Sequence, residues 1–190
     1  MLKEIGVGIS GASGVIYARD FINMILDQQS QLKIHLTVSA IAKNIIESEL
    51  EIGDLFIEEN LSQFLDNDPE KINRVSLWDE EDFDSPLATG SSDIDAMVVV
   101  PCSMKTLSDI ANGHAEKLIA RAADVCIKEQ RKVILVPRET PLNSIHLENM
   151  LKLSRIGVSI VPPAPGFYQN PQTIDDLINF ISKKIIKLLG

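Results

Sequence analysis

Arg138 and Glu139 stand side by side in Val136-Pro137-Arg138-Glu139-Thr140-Pro141, fixed between two prolines. A cation and a titratable carboxylate in one rigid frame suit phosphate binding coupled to proton transfer. The plain alternative is a surface ion pair on a turn. Gly8-Ile9-Ser10-Gly11-Ala12-Ser13-Gly14 combines the hydroxyls of Ser10 and Ser13 with glycines, which let the backbone turn tightly and approach a ligand. A helix starting there presents free N–H groups to an anion, unless Ser13 is only its N-cap. Pro101-Cys102-Ser103-Met104-Lys105-Thr106 is a second hydroxyl-rich corner, suited to a polar ring or a phosphate. Ser39, after Lys33-Ile34-His35-Leu36-Thr37-Val38, divides evenly between N-cap and ligand contact.

Other features carry less. Arg121 and Lys128, seven apart on one helical pattern, share a face, most commonly a solvated one. His35, His114 and His146 lack metal-ligand spacing, and His146 reads as a helix-packing residue. Met104 and Met150 read as core, and Cys102 as a small buried filler. No Ser-His-Asp order and no Walker lysine can be placed, so a serine hydrolase and a metal enzyme are disfavoured. Gly6, Gly8 and Gly11 spell G-x-G-x-x-G, but two of them fall inside a strand. The second strand also ends in Thr37-Val38-Ser39 instead of a ribose-binding acid, so a dinucleotide site is a weak reading.

Elements that position these residues follow from hydrophobic pattern. Apolar runs at 4–9, 33–38, 96–100, 132–136 and 158–161, with a weaker one at 72–77, predict strands. Helical patterns at 14–28, 39–50, 103–111, 115–130, 143–156 and 173–189 lie between them. Continuous rather than alternating apolar runs mark strands covered on both faces. The expectation is an α/β fold: one domain over 1–190, doubly wound, with a mostly parallel sheet and helices on both faces, as in Rossmann or flavodoxin-like proteins. In such a sheet ligands bind beyond the carboxyl ends of the strands, where all the strings above fall. Residues 161–171 hold four of the nine prolines, predicting an extended, non-helical loop that stiffens Phe167 and Tyr168. Residues 54–71 and 79–93 read as irregular.

Composition bounds the function. With 190 residues, 45% hydrophobic and 24% charged, the chain can bury a real core. Two cysteines suggest a reducing compartment, no apolar run reaches a membrane-spanning length, and the N-terminus does not read as a secretory signal; a cytoplasmic protein is expected. The net charge of −9 is concentrated: Glu47 to Asp84 holds fourteen acids against Lys71 and Arg74. An acidic chain is a poor nonspecific nucleic-acid binder, though a local cleft can still attract a small anion.

Six strings in order resemble the UbiX family of flavin prenyltransferases. They are Gly11-Ala12-Ser13-Gly14, Pro101 to Leu107, Arg121-Ala122-Ala123-Asp124-Val125, Val136 to Pro141, Ile145 to Leu153 and Pro165-Gly166-Phe167-Tyr168. The resemblance implies transfer of a dimethylallyl group from dimethylallyl monophosphate to N5 and C6 of reduced FMN, without a metal. The prenylated FMN would go to a UbiD-type decarboxylase, often in ubiquinone synthesis. It further implies that Gly11, Ala12, Ser13, Ser39, Ser103, Met104, Lys105, Thr106 and Arg138 contact FMN. Arg121, Lys128, Arg138, Tyr168 and Lys184 would surround the prenyl phosphate, with Phe83 as an aromatic wall. Ser13, Glu49, Lys128 and Glu139 would be catalytic, Ser13 and Glu139 relaying protons. Neighbouring subunits of a homododecamer complete each site in the family. Ala40 departs from it, replacing a common Lys, and 51–80 matches poorly. Two other classes stand beside this one: a flavin-dependent cysteine decarboxylase, whose catalytic His has no counterpart here, and a non-catalytic flavin carrier, which has no need of Lys128, Glu139 and Tyr168.

Overall fold

The computed structural model describes residues 2–190. Six strands form one sheet, all pairings parallel: β1 (Glu4–Ile9), β2 (Lys33–Val38), β3 (Val75–Trp78), β4 (Ala96–Cys102), β5 (Lys132–Pro137) and β6 (Ser159–Ile160). Their order, β3-β2-β1-β4-β5-β6, reverses direction between β1 and β4, the switch point where ligands of doubly wound sheets bind. The helices are α1 (Val15–Gln28), α2 (Ala40–Leu50), α3 (Glu58–Phe64), α4 (Pro69–Ile72), α5 (Met104–Asn112), α6 (Leu118–Lys128), α7 (Ser144–Arg155) and α8 (Ile174–Leu189).

Strand residues alternate between two cores, which is why the runs are apolar throughout. Val98, Val100, Ile134 and Val136 pack with α1, α2 and α8; Met97, Val99, Val133 and Leu135 pack with α5, α6 and α7. β1 is different. Ile5, Val7 and Ile9 fill the first core, but Glu4, Gly6 and Gly8 face the second. A Cβ on Gly6 would lie 2.6 Å from both Leu87 Cδ2 and Met97 Sδ, and one on Gly8 would lie 3.0 Å from Ile119 Cγ2. These glycines let α6 and the one-turn Pro86–Ala88 segment settle onto the strand. The G-x-G-x-x-G string is therefore mostly a packing device.

Three expectations need correction. β4 runs through Pro101 to Cys102 instead of ending at 100, because a register shift between Val99 and Cys102 accommodates the missing N–H. The supposedly irregular 54–71 contains α3 and α4, anchored by buried Lys71, whose Nζ reaches Asp27 Oδ1 (2.9 Å) and Asn23 Oδ1 (3.3 Å). The proline-rich loop also holds one 3-10 turn, Phe167–Gln169, which fits between its prolines. No described helix is long and apolar enough to cross a membrane.

Candidate active site

Loops following β1, β4 and β5 are fastened at one point. Ser10, fully buried at the end of β1, donates from Oγ to the carbonyl of Pro101 (3.1 Å) and accepts from the N–H of Ser103 (2.8 Å). Its hydroxyl is consumed by this clasp, correcting its expected role as a ligand donor. Arg138 Nε donates to the carbonyl of Ser13 (3.2 Å), and the Arg138 N–H donates to the carbonyl of Cys102 (3.2 Å). Ser13, Ser103 and Arg138 thus stand at adjoining corners, with Ser13 exposed and the other two half-buried.

The helix starts around this point differ in what their N–H groups meet. At α1, Gly14 is left-handed (φ 100°), a conformation suited to glycine. The Glu49 carboxylate, reaching from α2, accepts from the N–H groups of Gly14 (2.9 Å) and Val15 (3.2 Å). That end is not the open anion site the sequence suggested: a side-chain carboxylate holds it. At α2, Ser39 is the N-cap, accepting from Ala42 N–H (3.2 Å), while Glu80 accepts from Ala40 N–H (3.1 Å). At α5, Ser103 caps Thr106 (3.2 Å) and donates to its Oγ1 (3.0 Å), and no protein acceptor meets the N–H groups of Met104 and Lys105 among the described residues. This is the corner open to a polar ligand. Lys105 itself turns outward to Asp109 (2.7 Å).

Backbone contacts also shape the first loop. A Cβ on Gly11 would stand 2.8 Å from Ile41 Cγ2, so exposed Ile41 lies directly over it, and buried Ala12 follows. Tyr17 lies against Gly14, and burial raises its phenol above the ordinary value. Ile41, Tyr17 and Glu80 carry no sequence signal of a site role: their parts depend on contacts across the fold. Cys102 is fully buried and desolvation pushes its thiol far up, while Cys126 is pushed up to about 11 for the same reason. Neither is an activated nucleophile.

The remaining candidates make no hydrogen bond to these corners among the described residues. Glu139 is exposed, its carboxylate accepting only from Thr140 N–H (2.9 Å). Phe83 is exposed on the segment after β3. Arg121 is exposed in the first half of α6; Lys128, about 10 Å further along the axis, pairs with Glu129 beside Gly90. Tyr168 and Lys184 line an apolar groove of about 790 Å³ between α7, β6 and α8, with Tyr168 edge-on to Phe180 (5.9 Å). His146 is the N3 partner of the Asn143 capping box on α7, a cap instead of a packing residue.

The chain is similar to known proteins over its whole length. Residues 2–186 match the family model described as Flavoprotein. The flavin prenyltransferase UbiX of Methanocaldococcus jannaschii is 46% identical over 98% of this chain and 93% of its own length. Two solved structures superpose with TM-scores of 0.86. One is a dodecameric FMN-dependent UbiX-like decarboxylase from Escherichia coli, 37% identical, covering 98% of this chain and 94% of its own. The other is a UbiX protein in complex with FMN and dimethylallyl pyrophosphate, 35% identical, covering 100% and 93%. With the six-stranded parallel sheet superposing on these structures and the family model and curated relatives matching along the whole chain, the chain belongs to the UbiX flavin prenyltransferases of the Flavoprotein family.

Proposed function

We propose that the chain joins a dimethylallyl group from its phosphate to N5 and C6 of reduced FMN and releases prenylated FMN to a UbiD-type decarboxylase in the cytoplasm. The observation that carries this is the fastening of the β1, β4 and β5 loops through Ser10 and Arg138, which presents hydroxyls, free N–H groups and one guanidinium to a single ligand. That donor set fits FMN: Ser13, Ser39, Ser103, Thr106, the N–H groups of Met104 and Lys105, and Arg138 would hold it, against the surface formed by Gly11, Ala12 and Ile41. Reduced flavin supplies an electron-rich ring nitrogen and carbon for alkylation.

What the protein adds is electrostatic. Loss of phosphate from an allylic carbon leaves a carbocation-like fragment beside a new anion. Arg138, placed by its bond to Ser13, neutralises the departing phosphate; Arg121, Lys128, Tyr168 and Lys184 complete the phosphate pocket. Phe83 offers an aromatic face to the allyl cation. Closing the second ring at C6 would require one proton delivered to the prenyl double bond and one removed from C6, and exposed Glu139 is free to exchange protons there, with Ser13 as relay. Glu49 completes the acidic set from the other side of the loop.

Lys128 ends α6, which leads into the amino end of β5, the opposite edge of the sheet from Arg138, so these groups meet only if copies of the chain assemble. Exposed Ile145, Leu147, Leu151, Ile156 and Phe167 supply the apolar surface for assembly, as a homododecamer. Anaerobic incubation with reduced FMN and dimethylallyl monophosphate, followed by mass spectrometry of the released flavin, tests the reading; a flavin without the added prenyl mass refutes it. Glu139→Gln is expected to keep FMN binding and lose turnover by at least about 100-fold.

A further inference from the structure

A hydrogen-bonded chain of side chains crosses the sheet from β1 to β3. His35, on β2 and 8% exposed, stands between Glu4 on β1 and Trp78 on β3. Its Nε2 lies 2.9 Å from Glu4 Oε2, and Trp78 Nε1 donates to its Nδ1 at 3.1 Å. The two rings stack at 6.1 Å with an interplanar angle of 25°. An indole N–H can only donate, so Nδ1 must be the bare acceptor and the proton must sit on Nε2, facing the carboxylate. One tautomer of the neutral imidazole satisfies all three groups. A second proton on Nδ1 would set N–H against N–H, break the indole bond and leave an imidazolium held by Glu4. Glu4 is the charged group paired with the ring. The elements packed over this face of the sheet, α6 and the Pro86–Ala88 turn, bring apolar Ile119 and Leu87.

Trp78 is the partner able to yield. It ends β3, a four-residue edge strand, and is only half-buried. The chain beyond it reaches two helix starts at the carboxyl edge of the sheet. The Glu80 carboxylate takes the Ala40 N–H next to Ser39, the Glu80 carbonyl accepts from Leu118 N–H at the start of α6 (2.9 Å), and Glu81 pairs with Lys117. Phe83 lies two residues beyond Glu81. We propose that Glu4, His35 and Trp78 form a proton-operated latch: neutral His35 pins Trp78 and holds the 79–84 segment against α2 and α6, and protonated His35 releases it and weakens flavin binding. The link to flavin rests on the prenyltransferase reading; the latch itself does not.

Trp78 is the sole tryptophan, so its emission reports the latch directly. Lowering the pH from about 8 to about 5 is expected to quench it reversibly in one transition, with the far-ultraviolet circular dichroism unchanged. His35→Gln should abolish the transition, and Glu4→Gln, which removes the carboxylate partner of the ring, should move its midpoint. A flat wild-type profile, or the same transition in folded His35→Gln, overturns the latch. If His35→Gln does not fold, an unmoved midpoint in Glu4→Gln overturns it instead. FMN affinity over the same range should fall more steeply in the wild type than in a folded His35→Gln or, failing that, fall with a midpoint that Glu4→Gln moves; the variants are needed because the FMN phosphate itself titrates near pH 6. Equal profiles would refute the coupling to the flavin edge, whether or not prenyl transfer is observed.

Discussion

The two halves of the proposed site are built to different degrees of completion. Around β1, β4 and β5, buried Ser10, the Arg138–Ser13 bond and the Glu49 clasp on α1 leave the loops little freedom. Around α7, β6 and α8, only Leu153 of α7 is buried, Ile145 and Leu151 are 64% and 51% exposed, and Tyr168 is 81% exposed on its proline-stiffened loop. One half is finished by the chain alone; the other is shaped to be finished by contact. On the proposed reading, the flavin half would depend on intrachain hydrogen bonds and the prenyl-phosphate half on apolar burial between copies.

That contrast can be broken most completely at the unfinished half. Ile145→Glu combined with Leu151→Glu should abolish assembly and turnover together, with the circular dichroism of the folded protomer preserved, as light scattering and a prenylation assay will show. Arg138→Ala attacks the finished half and should lower turnover by about 100-fold, with the oligomer mass unchanged. Ser10→Ala leaves the Ser103 N–H without its partner, while the Pro101 carbonyl keeps the backbone N–H of residue 10 (3.2 Å), and should cost about 1 kcal/mol in chemical denaturation. The smallest effect lies at the joint between halves, where α1 meets α8. Buried Asp20 Oδ2 and Ser182 Oγ there have no hydrogen-bond partner, and burial raises the Asp20 carboxyl above its ordinary value. A raised carboxyl is stabilising while protonated, fully so below its unfolded value near 3.8, and that contribution is lost as pH rises through the folded value. Asp20→Asn should therefore raise the neutral-pH Tm slightly and flatten its decline with pH.

Much of the fold is written locally. Strands whose two faces both meet helices read as continuous apolar runs, so β1, β2, β4 and β5 are plain, and Ser39 reads as a cap as readily as a ligand contact. What fails is local reading of long-range effects. Pro101 hides the end of β4 because a strand bulge absorbs it, and α3 and α4 hide within an acidic stretch because their stability comes from Lys71 and Arg19 bonds to other elements. Within the site, Ser13, Ser103 and Arg138 are legible as strand-end residues. The occupation of the α1 start by Glu49 is not, because thirty-five residues separate it from Gly14 along the chain.

The Ser10 clasp has a mechanical consequence. By tying the tips of β1 and β4 together at the place where the sheet changes winding, it stops that crevice from gaping like a hinge. A bulkier isoalloxazine analogue would then have to be admitted by displacement of Ile41 or the 79–84 segment, with the strands themselves standing still.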